Sequence, residues 1–247
     1  MKIRDLCKEY QVAAKRVQVL KNLNLDVDNH KITVVLGRSG CGKTTLLRLA
    51  AGLEQADGGT VEMESDARMG VIFQDPRLMP WLTVGDNILF GTGKRQRRGR
   101  HRTQNRHLDY LLELTGLKGF ENGYPSQLSG GMQQRAALAR ALAYEPDYLL
   151  MDEPFAALDY FTRRQMQTEL LRIHQTEQKG ILFVTHSIDE ALTIGKKVVI
   201  LEDGRCRSEY DLEAIPYPRD LFSENMGKIK REIVGQLEQA DERSKIR

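Results

Sequence analysis

The sequence predicts an α/β fold: a mainly parallel sheet carrying a glycine-rich phosphate loop, antiparallel strands at the N-terminus, and a helical insert. Three observations predict it. Residues 32–36 form a run that is apolar but for Thr33 and passes through a glycine-rich loop into a helix start at Lys43, as a strand buried on both faces does. Residues 83–144 carry helical periodicity. After Pro146, short apolar runs at 148–151, 181–184 and 198–201 alternate with helices, which predicts parallel strands.

The elements follow in order. Residues 3–10 and 17–27 read as strands, and the alternation of Leu23, Leu25 and Val27 before the turn Asp28-Asn29-His30 suits antiparallel pairing. The helix from Lys43 closes near Gly52, and 61–63 and 71–73 are further short strands. The texture changes at Asp75-Pro76. Thr83 and Asp86 have capping-box spacing, and Leu108, Leu111, Leu112 and Thr115 share one helix face. In the last third, helices start near Phe161 and Ser187, and Ser187 with Glu190 repeats the capping-box spacing, so His186 ends a strand immediately before a helix. Strand ends are where α/β proteins bind ligands. Asp203-Gly204 signals a hairpin, Pro216 and Pro218 a linker, and Met226, Ile229, Ile233 and Leu237 a narrow apolar stripe before ten residues expected to fray.

Composition narrows the function classes. A chain of 247 residues supports a sizeable core, and a net charge of +3 makes no general case for nucleic acid. Cys7, Cys41 and Cys206 are widely spaced and odd in number, which argues against a disulfide framework or a zinc site and suits the reduced cytosol. No apolar run approaches the roughly 20 residues that span a bilayer, so a membrane role falls to a partner.

The chemistry concentrates at three places. Gly37-Arg38-Ser39-Gly40-Cys41-Gly42-Lys43-Thr44 has the G-x-x-x-x-G-K-[ST] spacing, in which backbone amides surround phosphates, Lys43 reaches the β and γ phosphates and Thr44 meets Mg²⁺. An apolar strand at 148–151 delivers Asp152 and Glu153 at its carboxyl end, one for the metal shell and one to orient and deprotonate the attacking water. Ser129 caps a helix whose first turn has two glycines and no carboxylate. That start reads either as an ordinary capped helix or as a second anion seat, the latter serving a nucleotide held by a second copy of the chain.

With these stretches in this order, the chain resembles the ATP-binding subunits of ABC transporters across nearly its whole length. The resemblance implies a P-loop NTPase (RecA-like) core with ATP and Mg²⁺ as cofactors. It makes Gly37, Arg38, Ser39, Gly40, Cys41, Gly42, Lys43, Thr44 and Thr45 the loop around ATP, and stacks Tyr10 on adenine. Gln74 becomes the glutamine touching Mg²⁺ and water; Ser129, Gly130, Gly131 and Gln133 belong to the signature stretch facing the second nucleotide. Asp152 is the metal carboxylate, Glu153 the base, Asp159 the end of a loop crossing a dimer interface, and His186 a switch histidine on the γ-phosphate. The implied organisation is one ABC domain, with core 1–75 and 146–214, helical subdomain 76–145 and helical extension 215–247. Implied partners are a second copy, a membrane permease and, indirectly, a solute-binding protein, at the cytoplasmic face of the membrane.

Pro80-Trp81-Leu82-Thr83-Val84, Tyr124-Pro125-Ser126-Gln127-Leu128, Pro154-Phe155-Ala156-Ala157-Leu158-Asp159 and the tail I-P-Y-P-R-D are similar to the nitrate, sulfonate and taurine importer branch. Ala156, where that branch commonly has glycine, and the short Asp203-Gly204 turn depart from it. Lys94, Arg95, Arg97, Arg98, Arg100, Arg102 and Arg106 form a basic tract without acids, open to three readings: a solvated loop, a contact with lipid headgroups or a permease, or a nucleic-acid contact. Cys41 is a candidate low-pKa thiol beside a helix start. The rival function is a soluble ABC ATPase acting on nucleic acid or ribosomes; its relatives carry a long coiled coil or two cassettes, and neither occurs here. A signalling GTPase would need an N-K-x-D guanine reader, which is absent.

Overall fold

A computed structural model of the chain describes residues 1–13, 15–92 and 101–245. The chain divides into two compact units, Met1–Ser65 with Gly180–Arg247, and Asp66–Lys179. The first unit opens with β1 (Lys2–Val12), β2 (Lys15–Asp26), β3 (Ile32–Leu36), α1 (Lys43–Ala50) and β4 (Gly58–Glu62). The second holds β5 (Met69–Ile72), α2 (Val84–Leu89), α3 (His101–Leu114), a 3₁₀ turn at Pro125–Gln127, α4 (Gly130–Leu142), β6 (Tyr148–Asp152) and α5 (Tyr160–Glu177). The chain then returns to the first unit for β7 (Gly180–Thr185), α6 (Ile188–Ile194), β8 (Lys197–Glu202), β9 (Arg205–Asp211) and α7 (Glu224–Lys245).

In the first unit β1 pairs antiparallel with β2 and β4, and the alternation read from the sequence buries Leu23, Leu25 and Val27. β3 lies between β7 and β8, parallel to both, and all five of its residues are buried. Each such Val, Leu or Ile contributes about 1.5–3 kcal/mol relative to exposure, so this strand is a rigid mount for the loop that follows it. The Asp203-Gly204 turn has φ of 48° and 73°, the double positive φ of a two-residue hairpin, and turns β8 into antiparallel β9. β4 ends at Glu62 and β5 at Ile72, short of the predicted Met63 and Phe73. Their ladders with β1 and β6 decide where pairing stops.

The predicted linker at Pro216 and Pro218 is pinned down. The Tyr217 hydroxyl donates to Ile194 O at 2.5 Å, and burial pushes its pKa up to about 12. Buried Arg219 donates to the carbonyls of Leu192, Leu212, Gly195 and Ile215, at 2.5–3.2 Å. Met226 and Ile233 of the apolar stripe are buried, and α7 continues to Lys245, into the stretch expected to fray.

In the second unit β5 and β6 pair in parallel. The Thr83 hydroxyl accepts from Asp86 N at 3.2 Å and donates to the Asp86 carboxylate at 2.8 Å, so the predicted cap starts α2. Leu111, Leu112 and Thr115 are buried at the end of α3, as their shared face requires. Of the basic tract, Lys94, Arg95, Arg97, Arg98 and Arg100 lie outside the described residues.

Candidate functional site

In the first unit the phosphate loop joins β3 to α1. A Cβ on Gly37 would stand 2.5 Å from Leu201 O and 2.6 Å from Cys41 Sγ, so the backbone can run here only without a side chain. Gly42 has φ 106°, and a Cβ there would meet Leu20 Cδ2 at 2.8 Å. Gly40, at φ 80°, faces open space. Gly42 is the N-cap of α1 and offers no side-chain cap, and the first turn contains no carboxylate. This glycine-shaped cradle at an uncapped helix start fits a polyphosphate.

Lys43 is buried and donates to the carbonyls of Gly37 and Arg38, both at 2.9 Å, so the ammonium closes the loop on itself. Arg38, Ser39, Gly40 and Thr44 are exposed, while Cys41 and Thr45 are half-buried. A cavity of about 250 Å³ borders the loop between residues 38–41, Glu202, Asp203 and Leu237 of α7.

Tyr10 lies on β1 directly opposite Val17, with its hydroxyl side toward Glu54 and Thr45 and the Lys8 ammonium 5.4 Å from its ring. Burial first, and then its hydrogen bond with Glu54, raise its pKa. Val12 and Val17 are exposed, giving Tyr10 apolar company on that edge. His186 is exposed immediately after β7, and Gly37 N donates to Thr185 O at 3.3 Å. Within this unit, then, Tyr10 is brought to Thr45 and the His186 turn to Gly37.

In the second unit β6 delivers buried Asp152 and half-buried Glu153. Glu153 has φ 44°, a left-handed conformation that costs a non-glycine residue of order 1–3 kcal/mol and clusters at functional sites. Gln74 is exposed after β5, and its loop is held by α4: Gln134 donates to Phe73 O at 3.5 Å, and Arg140 to Pro76 O at 2.7 Å and Arg77 O at 2.8 Å. Asn87 continues this restraint, donating to the carbonyls of Met79, Leu82 and Thr83 and accepting from Met79 N. Trp81, at the tip, is 71% exposed.

Ser129 caps α4, accepting from Met132 N at 3.3 Å. Gly130 is exposed, and a Cβ on Gly131 would lie 2.6 Å from Thr162 Cγ2, so α4 and α5 meet closely there. Gln133 donates to Pro125 O and Leu128 O, tying the signature stretch to the preceding 3₁₀ turn. Asp159 caps α5, accepting from Phe161 N and Thr162 N; hydrogen bonding from Thr162 holds its carboxyl below the usual range.

Gln134, Arg140, Asn87 and Arg219 are residues whose part here sequence reasoning missed. The usable signal was a polar side chain in an otherwise buried register, as at Asn87 between Val84 and Ile88.

For Mg²⁺ the chain offers hard oxygen donors, the Thr44 hydroxyl and the Asp152 carboxylate. Among the described residues no cluster of three or more His, Cys, Asp or Glu could hold a metal. Thr44 belongs to the first unit and Asp152 to the second, and each is the kind of hard oxygen donor Mg²⁺ takes alongside waters and substrate phosphates.

Residues 20–156 match the ABC transporter family model. The chain is 43% identical to an uncharacterised ABC transporter ATP-binding protein of Methanocaldococcus jannaschii, over 96% of this chain and 91% of that one. It is 37% identical to the aliphatic sulfonates import ATP-binding protein SsuB of Bacillus cereus, over 96% and 95% of the two chains. It is 40% identical to SsuB 2 of Mesorhizobium japonicum, over 89% and 85%. Among solved structures it is similar to an ATP-binding cassette in a dimeric post-hydrolysis state bound to ADP and Pi. That match has a TM-score of 0.74 and 30% identity over 85% of this chain and 98% of that one.

Proposed function

The chain belongs to the ABC transporter family of ATP-binding, ATP-hydrolysing proteins, and from that premise we propose that it energises an importer of a small anionic solute of the sulfonate type. The observation that carries the nucleotide half is the cradle at α1, where Gly37 and Gly42 admit no side chain and the helix start carries no cap. The importer half is supported by full-length relatives named for aliphatic sulfonate import.

In this reading the α1 amides and Lys43 hold the phosphates, and Tyr10 packs on the base. Thr44 and Asp152 would hold Mg²⁺, which would supply charge neutralisation at the phosphate oxygens. Glu153 accepts a proton from the attacking water, whose oxygen bonds to the γ-phosphorus as the bond to the ADP oxygen breaks. Gln74 orients that water, and His186 donates a hydrogen bond to the γ-phosphate.

Two copies close on two ATP molecules, each held between Lys43 of one copy and Ser129 of the second, with Gly130, Gly131, Gln133 and Asp159 shaping that contact. Loss of the γ-phosphate removes charge-assisted hydrogen bonds and lets the copies part. Core 1–75 with 146–214 carries the chemistry, 76–145 passes the motion on, and 215–247 braces the core. No helix among the described residues is long and apolar enough to cross a membrane. The pore therefore belongs to a separate permease, which this chain meets at the cytoplasmic face through the exposed Trp81 loop, with a solute-binding protein beyond it.

Tagged Glu153→Gln chain captured from mildly solubilised cells with ATP and Mg²⁺ brings down a multi-span membrane protein in this reading. Recovery of nucleic acid with no membrane protein would defeat it.

A further inference from the structure

His186 is exposed, in a turn that Thr185, Ser187 and Glu190 tie together. Thr185 and Glu190 are both buried, and the Thr185 hydroxyl donates to Glu190 Oε2 at 2.5 Å. Ser187 N donates to Thr185 Oγ1 at 3.0 Å, and the Ser187 hydroxyl accepts from Glu190 N at 3.3 Å. The sequence expected a capping box, in which the glutamate reaches back to the N-cap amide. Here the Thr185 hydroxyl stands between them, taking the Ser187 amide and passing its own proton's bond to Glu190. The ring runs Ser187 N, Thr185 Oγ1, Glu190 Oε2, then through the Glu190 backbone to Ser187 Oγ. Residues on both sides of His186 are therefore tied to one residue, Thr185 through the Glu190 carboxylate and Ser187 through the Glu190 amide.

The same Thr185 accepts from Gly37 N through its carbonyl, in the register that pairs Leu36 with Thr185. The turn's position is thereby set against the phosphate loop itself. A buried carboxylate is costly unless it is hydrogen-bonded, and a helix start of this kind needs only Ser187 for its cap. The burial of Glu190 therefore goes beyond what capping requires.

We propose that Glu190 and Thr185 are positioning residues that hold the backbone on both sides of His186, and so aim its imidazole relative to the phosphate loop. The inference rests on the reading of His186 as a γ-phosphate contact. Neither residue touches nucleotide; each acts through His186.

The test uses the full chain and six variants, with ATP turnover, ATP binding, thermal unfolding and the imidazole proton signal of His186 by NMR, assigned with His186→Ala. Because a misplacement of about 1 Å can cost of order 10²-fold in rate, Glu190→Ala lowers kcat by about that factor while ATP affinity stays as in the parent chain. Glu190→Gln restores most of the turnover, since its amide oxygen accepts the same Thr185 bond. Thr185→Val reproduces the loss and Thr185→Ser does not, which keeps the test open where Glu190→Ala folds poorly. In a His186→Ala background Glu190→Ala costs nothing further, as expected of residues that act as a unit. Equal additional loss in that background, or an unfolding shift with kcat unchanged, overturns the proposal. The His186 signal shifts or broadens in Glu190→Ala whether or not the chain hydrolyses ATP; an unchanged signal also overturns it. An inactive parent chain would instead defeat the ATPase reading.

Discussion

Two helices of this chain have glycine at their start, as N-cap or first residue, and lack a carboxylate in their first turn, yet the starts are built differently. At α1 the N-cap is Gly42 in a left-handed conformation, and no side chain caps the amides. At α4 the N-cap is Ser129 in extended backbone, and its hydroxyl accepts from Met132 N. The first start is shaped by what glycine allows and has no side-chain cap of its own. The second is complete by itself, and its serine must share or exchange a partner to meet an anion. In the proposed function the first seat binds nucleotide within one chain, and the second meets one only when another copy arrives.

The largest effect separates binding from chemistry at the first seat. Glu153→Gln lowers ATP turnover by about 10²- to 10⁴-fold, the contribution of a positioned base. ATP still binds, because the cradle is untouched, as equilibrium binding of a fluorescent ATP analogue will check. Loss of binding together with turnover would mean that the α1 seat does not act alone.

Next comes the glycine requirement. Gly42→Ala places a methyl 2.8 Å from Leu20 Cδ2 at φ 106°, and costs about 1–3 kcal/mol by overpacking as well as abolishing ATP binding. At α4 the corresponding Gly130→Ala meets nothing nearer than Leu158 Cδ2 at 3.8 Å. It is neutral or stabilising by roughly 0.4–1 kcal/mol, because alanine loses less backbone freedom on folding. Denaturant midpoints of the two variants should move in opposite directions, and movement in the same direction breaks the contrast.

Ser129→Ala removes a side-chain cap and costs about 1 kcal/mol, which lowers the melting temperature by about 2–4 °C. ATP affinity of the single chain stays unchanged, whereas ATP-dependent dimerisation, followed by light scattering in the Glu153→Gln background, weakens.

A further effect, confined to alkaline pH, lies away from both seats. Burial raises the Cys206 thiol from 9.0 to about 11 and the Tyr217 phenol from 10.0 to about 12. Both folded-state values are raised, so the unfolded chain releases these protons first. Their contribution is complete below about pH 9 and is lost as pH rises through 11 to 12. Chemical denaturation at stepped pH should show that decline, and Tyr217→Phe should remove the upper part of the slope.

Legibility in the sequence followed the distance over which each cause acts. The phosphate loop was readable because the glycine demand at 37 and 42 and the helix after it lie within a dozen residues. The caps at Thr83, Ser129 and Ser187 were readable for the same reason, since each bonds an amide three residues on. Reach failed elsewhere. Residues 216–218 looked like a linker because nothing local shows that Arg219 will find the Leu192 carbonyl 27 residues back. Glu190 was readable as a box residue; its use of the Thr185 hydroxyl depends on how β7 ends against α6.

The sequence by itself determined the order of the strands and helices, the cradle, the carboxylates at the end of β6 and the cap at Ser129, because glycine geometry, hydrophobic period and capping act between near neighbours. Tertiary structure alone decided where β4 and β5 stop, that Asn87 and Arg140 restrain the Gln74 loop, and that Glu190 frames His186. Each of these depends on a buried polar group finding its partner, and that partner is set by packing rather than by spacing.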